Sequence, residues 1–544
     1  MRDGPRMRGI EWALLCALFL GALISVGVTA NDYGPTYDEP HYASAGVKYA
    51  AWWGRVFRGD VGAVRAAEIE GVWGLNHEHP PLQKCASGMA QRWLGRLLPG
   101  LAAMRLPSAL WFALAVCALY LFLRRVWGRR GALFAALAFA SMPRVGAHAH
   151  FVALDMPITA WFFITAALTA EALRRDSWGW TAAAGLSFGL ALMSKLNAFF
   201  LPVLLVPWGL AYYRRRWGKL AVALGVTGPA VFWLGWPWLW VDSLGHLREY
   251  LGFHFGHAAY NVWYLGRLWE YAPWHYPFVM AAAATPPVVL VLAAVGAMKG
   301  SRDRNVAPTG LVGRRGRARA ERALLLLGLA IALLPSALPS SPKYNGVRLF
   351  LPAFPFLAAL AGGGFAWLQA RVVRLVRADG LLSGLVCAAL GALLLVPGAK
   401  AMTGTHPHQL AYYNSLVGGT EGATARGFET IYWGQVLAEA PEFLNGVERP
   451  NPRVLVIPKG VIYLLEFQQQ AGALREDVGF TGDEGEAGSV DYVMFQAMQS
   501  DYTELCWALV ENEEPAWAVR LGETPLLVVY DREAVAGALG RLRM

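Results

Sequence analysis

The chain has 544 residues, of which 56% are hydrophobic and 16% charged. A soluble domain carries about a quarter charged residues, so a soluble globular reading is excluded. The net charge of +10 does not mark a nucleic-acid binder: Arg and Lys sit in short loops between apolar runs, without the aromatic-basic interleaving such a surface needs.

The first apolar run covers residues 10–30, behind Arg2, Arg6 and Arg8. It is long enough to cross a bilayer and long for the core of a signal peptide, so a retained helix is expected. Further spans are expected at 103–123, 131–147, 156–173, 179–194, 198–213, 219–240, 276–298, 323–339, 349–369 and 380–398. The expected fold is mainly α, a polytopic bundle of about eleven spans over residues 1–400. The basic clusters at Arg124/Arg125/Arg129/Arg130, Arg174/Arg175, Arg214/Arg215/Arg216/Lys219, 299–322 and Arg371/Arg374/Arg377 fall on alternate loops. By the positive-inside rule that side, with the N-terminus, is cytoplasmic. The opposite side then receives the first outer loop 31–102, the turn at Asp155, the turn at Lys195, residues 241–275, residues 339–349 and the tail.

Residues 401–544 read as a separate non-cytoplasmic α/β domain. Strands are expected at 454–458, 492–495, 517–521 and 526–530, with helical stretches at 432–444 and 461–472. The segment 417–422 lacks the Lys and the glycine spacing of a phosphate loop. Five cysteines show no metal-knuckle or disulfide spacing, though Cys85 and Cys506 both lie outside the spans.

Four groups of residues carry the candidate chemistry, all on the outer side. Asp38 and Glu39, in Tyr37-Asp38-Glu39-Pro40-His41-Tyr42, are adjacent carboxylates at a membrane surface; a carboxylate beside an acceptor hydroxyl can serve as general base. An ordinary solvated loop would also carry such acids. The segment Asn76-His77-Glu78-His79-Pro80-Pro81-Leu82-Gln83-Lys84 gathers donors around a Pro-Pro corner, with His79 and Lys84 placed for a phosphate. His77 and His79 alone are weak grounds for zinc, and no metal is assigned; a divalent ion is not indicated. Asp155, before Met156-Pro157, is either a helix-start residue or a second acid, and the two roles are compatible. Lys195, Lys343 and Arg348 are outer-side cations that break the positive-inside bias, suited to a phosphate or to lipid headgroups. Outer tryptophans (Trp236, Trp238, Trp240, Trp263, Trp269, Trp274) fit an interfacial belt or a stacking surface for sugar.

In this order the four groups resemble the GT-C superfamily of membrane glycosyltransferases, nearest to the protein O-mannosyltransferase and aminoarabinose transferase branch, glycosyltransferase family 39. Asp38-Glu39-x-His41-Tyr42 is similar to the first-loop motif of the mannosyltransferases. His79-Pro80-Pro81-Leu82-x-Lys84 resembles their His-Pro-Pro-Leu-Gly-Lys segment, with Gln83 in place of Gly. Leu154-Asp155-Met156-Pro157 resembles the superfamily's second acidic motif, and 343–355 its basic loop. The resemblance implies a sugar donor on a polyprenyl phosphate, inversion at the anomeric carbon, and Asp38 or Glu39 as base with Asp155 as the accompanying acid. It implies substrate contacts from His41, Tyr42, Glu78, His79, Lys84, Lys195, Lys343 and Arg348. The acceptor (protein, lipid or glycan) is left open, because the tail replaces the β-rich insert of the eukaryotic mannosyltransferases. No cofactor or nucleic-acid partner is expected; membrane lipids are. Two competing readings are a lipid-linked sugar transporter and a noncatalytic envelope assembly factor. The first should place ionisable residues near the midplane of the spans, where this sequence has few. The second leaves the Asp-Glu and His-Pro-Pro-Leu segments without a role.

Overall fold

The computed structural model describes residues 9–256, 260–299 and 314–542. The basic residues Arg2, Arg6 and Arg8, and the part of the 299–322 cluster at 300–313, lie outside them.

Helix occupies each of the eleven expected segments. Among the described residues seven helices are long and apolar enough to cross a membrane, or up to eight if a bent pair counts as one span. The chain is thus a multi-pass membrane protein. Three segments differ from the plain spans expected. The stretches 198–213 and 219–240 form one helical run, Leu196–Gly235 of 40 residues, turned at Arg214–Arg216 where Tyr213 leaves helical dihedrals (φ −137°, ψ 33°). Residues 276–298 are broken into Tyr276–Ala283 and Pro287–Lys299, 119° apart, because adjacent prolines at 286 and 287 remove two amide donors. The carbonyls freed at this break are not left bare: Asn414 Nδ2 donates to those of Ala282 (2.7 Å) and Thr285 (2.6 Å). Helices Gly128–Ala140 and Trp178–Leu192 have 13 and 15 residues, about 20 Å each at 1.5 Å per residue, short of a bilayer core of about 30 Å. The first of these ends before Pro143 and resumes as the short helix Pro143–His148.

The first outer loop is itself helical, with Glu39–Val56, Ala66–Trp73 and Leu82–Leu94. Glu39–Val56 and Leu82–Leu94 touch backbone to backbone: a Cβ on Gly88 would lie 1.9 Å from the Gly46 carbonyl oxygen. That contact fixes the start of Glu39–Val56 over the bundle's outer end.

Two short strands in the outer segment 241–275, β1 (Val262–Tyr264) and β2 (Arg267–Trp269), form a hairpin. The tail carries β3 (Arg453–Ile457), β4 (Gly479–Thr481), β5 (Tyr492–Gln496), β6 (Trp517–Leu521) and β7 (Thr524–Asp531). They form one sheet in the order β4-β3-β5-β7-β6, parallel at the β4-β3-β5 end and antiparallel beyond it. The four expected strands are present, β4 is additional, and the helix expected at 461–472 is Ile462–Gln470.

The boundary expected at 400 falls inside helix Gly380–Gly404. Pro397 does not end this helix, since a proline removes one hydrogen bond and neighbouring groups can absorb the loss. Nor is the tail separate. Tyr33, Ala147, Phe151 and Ala153 from the bundle share one apolar core with Ile431, Trp433 and Val436 from the tail. Cys85 and Cys506 are both free thiols.

Candidate active site

Five distant segments meet at one end of the bundle. Asp38 precedes helix Glu39–Val56 and makes no side-chain capping bond, so its carboxylate is turned elsewhere. Its Oδ2 accepts from Arg348 Nη2 and from the Trp433 indole Nε1 at 3.0 Å. Arg348 also donates through Nε to Asp155 Oδ2 at 3.0 Å. Asp155 opens helix Asp155–Arg175, and its other oxygen accepts from Lys195 Nζ at 2.5 Å. Arg348 therefore bridges two carboxylates, and Asp155 two cations.

Local backbone explains how Arg348 is aimed. Asn345 and Gly346 both have positive φ (54° and 62°), which turns the chain sharply before the 3-10 turn Arg348–Phe350. Any side chain at 346 would collide with Arg144 and Tyr432, each 2.6 Å from the Cβ position. Tyr37 braces the same turn through its hydroxyl to Asn345 Oδ1 at 3.2 Å, and its amide donates to the Trp433 carbonyl at 3.1 Å. The Arg348 guanidinium lies over the Trp433 ring, 4.4 Å from the centroid, a cation–π contact that holds it flat.

The site is charge-balanced and nearly dry. Asp155 is fully buried, while Asp38 keeps 23% of its side-chain surface, the one acid of the pair within reach of an incoming molecule. Burial disfavours the charge on Arg348, but Asp38 and Asp155 more than offset this and hold its pKa well above the ordinary value. Burial lowers the Lys195 pKa, with Asp155 opposing. His148 Nδ1 is 3.8 Å from Asp155, and burial holds its pKa down at about 3, so the ring is neutral. Tyr42 and His79 stand beside this cluster, rings edge to face at 5.6 Å. Burial, then the Lys84 charge, push the His79 pKa well below its usual value, and its Nδ1 has no hydrogen-bond partner.

Other candidates lie apart. Glu39 is buried and fully occupied: Arg105 donates to both its oxygens (2.9 and 2.7 Å), and the amides of Thr36 and Val152 donate at 2.9 and 2.8 Å. Lys84 is buried and donates to the carbonyls of Asn76 (2.6 Å) and His79 (2.7 Å), fixing the Pro-Pro corner. Burial brings its pKa to about 7. Glu78 accepts from Asn76 at 2.5 Å. Lys343 turns back on the carbonyls of Leu338 and Ser341. His41 is exposed, with its ring near Tyr463. His77 is engaged by the Gly74 carbonyl and Glu249, so it forms no ligand pair with His79. Among the described residues no group of three His, Cys, Asp or Glu is placed to hold a metal. Trp236 and Trp238 are buried in the core rather than lying at an interface.

Arg105, Trp433 and His148 were given no role from sequence. Arg105 had a signal, an arginine in the first outer turn of an apolar span. Trp433 lies in Tyr432-Trp433-Gly434-Gln435, a tail segment similar to ones in the same superfamily, but its role depends on the tail folding back over the bundle and was not legible.

Residues 93–240 match the sequence pattern of the family described as dolichyl-phosphate-mannose-protein mannosyltransferase. The loop motifs and this match point to one superfamily, and the chain resembles the GT-C membrane glycosyltransferases. Among solved structures it is similar to ArnT from Cupriavidus metallidurans bound to undecaprenyl phosphate, at 17% identity and TM-score 0.48, over 96% of this chain and 98% of that one. The apo structure of the same protein gives 16% identity and TM-score 0.49, over 96% and 99%. The Archaeoglobus fulgidus oligosaccharyltransferase gives 11% and 0.41, over 88% and 68%. No curated protein matches by sequence.

Proposed function

We propose that this protein is a glycosyltransferase that moves a sugar from a polyprenyl-phosphate donor to an acceptor hydroxyl, with inversion, on the non-cytoplasmic face. The observation that carries this reading is the half-open Asp38 carboxylate sharing Arg348 with the buried Asp155. The matched family's description, which names a sugar on dolichyl phosphate, supports the donor class.

In this mechanism Asp38 takes the proton of the acceptor hydroxyl as its oxygen bonds the anomeric carbon. The bond from that carbon to the phosphate oxygen breaks, and polyprenyl phosphate leaves with the electron pair. Arg348 and Lys195 face the phosphate and stabilise its developing charge. Before the donor binds, Arg348 sits on the Asp38 carboxylate. A donor phosphate competes for the same guanidinium and draws it off, which leaves the Asp38 carboxylate open to the acceptor hydroxyl when the donor is in place. Asp155 keeps Arg348 and Lys195 anchored during this exchange. Glu39 has no free lone pair facing the site and serves, with Arg105, to hold the start of helix Glu39–Val56. The basic loops support an orientation with the N-terminus cytoplasmic and the tail outside.

The test is release of free polyprenyl phosphate from a panel of polyprenyl-phosphate sugars by purified protein. Release by the wild type that is lost in Asp38→Asn supports the reading. No release from any donor by folded protein, or full release in Asp38→Asn, overturns it.

A further inference from the structure

A second cavity lies away from Asp38, where hairpin β1-β2 meets the tail domain. Its volume is about 580 Å³, within the range of small-molecule sites. The hairpin is held there by the amide of Gly266 donating to the Gly427 carbonyl at 3.1 Å, and by the bridge between Tyr264 and Phe428. A side chain on Gly427 would meet the Gly266 amide at 1.9 Å, so the cavity wall depends on this close approach.

The lining combines flat aromatic surface with paired polar groups. Trp263 from the hairpin and Trp507 from helix Glu504–Asn512 lie 5.1 Å apart, and Tyr502 is 4.9 Å from Trp507. All three rings are partly exposed. The charged lining is balanced, with Glu513 and Glu514 against Arg426 and Arg520. Such a lining gives no net attraction to a phosphate or a basic peptide, but it offers both donors and acceptors to hydroxyl groups. The floor is the face of β7, whose backbone is already paired with β5 on one side and β6 on the other. Neither edge of β7 is free for an extended peptide to join.

We propose that this cavity between the hairpin and the tail domain binds a neutral saccharide, stacked on Trp507 and Trp263 and hydrogen-bonded by the rim carboxylates and guanidinium groups. This rests on the glycosyltransferase reading and narrows it: the acceptor, or the product that leaves, carries a glycan. The cavity and the active site share one stretch of chain. Thr430 lines the cavity, its amide donating to Gln499 Oε1 at 2.9 Å. Three residues later Trp433 donates to Asp38. Within three residues the chain therefore runs from the cavity wall to the base.

The experiment is saturation-transfer NMR on the full chain in nanodiscs, with neutral trisaccharides of gluco, manno, galacto and rhamno configuration as probes. A phosphorylated trisaccharide and a basic peptide complete the set. At least one neutral trisaccharide is expected to bind, with Trp507→Ala and Trp263→Leu each weakening it about tenfold, the scale of one lost aromatic contact. Glu514→Ala, at an exposed position that folding tolerates, is expected to weaken it several-fold. The inference is overturned if folded protein binds no neutral trisaccharide, if these substitutions leave binding unchanged, or if the peptide or the phosphorylated sugar is preferred. Asp38→Asn separates the two readings: it should keep saccharide binding in full while losing release of polyprenyl phosphate. Saccharide binding by a wild type that releases no polyprenyl phosphate from any donor would sink the transferase reading alone.

Discussion

The bundle carries a charged cluster at each end, and the two are built differently. At the inner end Glu11 pairs with Arg124 (3.0 Å) and Arg129 (2.8 Å), while Glu171 pairs with Arg125, Arg174 and Arg175. These two acids pair with five arginines, and Arg129 and Arg125 keep 50% and 30% of their side-chain surface. At the outer end Asp38, Asp155 and Glu39 face Arg348, Lys195 and Arg105, sign for sign, and Arg105 and Glu39 are each 1% exposed. The inner cluster pairs more arginines than acids, the excess that the positive-inside rule expects on the cytoplasmic side, and water can reach it. The outer cluster is balanced because unpaired charge that far from water would be too costly. A function should be sought where charge is both buried and balanced, and where one member still touches the outside; that member is Asp38.

The comparison is sharpened first at Asp38. Asp38→Asn keeps the shape and the hydrogen bond to Trp433 but removes the base, and transfer should fall by about 10²–10⁴-fold with thermal stability retained. Arg348→Lys keeps the charge, yet a single ammonium cannot span both Asp38 and Asp155 as the planar fork does. Transfer in that variant should fall about 10²-fold, read by the same release of polyprenyl phosphate. If Arg348→Lys were as active as wild type, the shared cation would be ornament and the outer cluster no different in kind from the inner one.

Glu39 tests the same contrast by stability. Glu39→Gln leaves Arg105 buried without its counter-charge, which should cost about 3–5 kcal/mol, read as a large drop in melting temperature. Glu39 and Asp38 are neighbours in sequence, so opposite outcomes (one variant stable and inactive, the other unstable) would separate base from brace.

That separation marks where the sequence stops. The spans, the side that collects the acids, and the four strands at 454–458, 492–495, 517–521 and 526–530 were legible, because they rest on local periodicity and on loop charge. Asp38 and Glu39 look alike in a string of letters; what distinguishes them is which of them Arg105, from a helix sixty-odd residues on, reaches first. Lys84 reads as a phosphate ligand from its place at the Pro-Pro corner and Lys343 because outer-side cations are unusual, but nearby carbonyls had already taken both ammonium groups. The bend at 284–286 was written in Pro286-Pro287. The Asn414 side chain that makes it tolerable comes from the tail, and no local pattern announces a contact over that distance.

The shell around the outer cluster has a pH signature the inner end should lack. Burial pushes the Glu429 carboxyl up to about 8 from 4.5. In the unfolded chain it ionises near the lower value, whereas in the folded protein it keeps its proton to the higher one. Folding therefore takes up a proton between the two, and stability falls as pH rises through that window. Glu429→Gln should flatten this decline, seen as a higher melting temperature than wild type at pH 8 and little difference at about pH 5. An identical pH dependence in wild type and variant would show that the decline arises elsewhere.

The smallest effect is expected at the inner end. Glu171→Gln removes the acid that Arg125, Arg174 and Arg175 share, but those arginines border water and can be solvated in its place. The loss should be about 1 kcal/mol or less, and the wild type's advantage should shrink further as salt is raised. Three arginines without an acid also keep the loop positive, so the orientation of the chain should not change. A loss as large as that of Glu39→Gln, insensitive to salt, would mean that the inner arginines are as dry as Arg105. The distinction between a cluster that orients the bundle and one that does its chemistry would then have to rest on Asp38 alone.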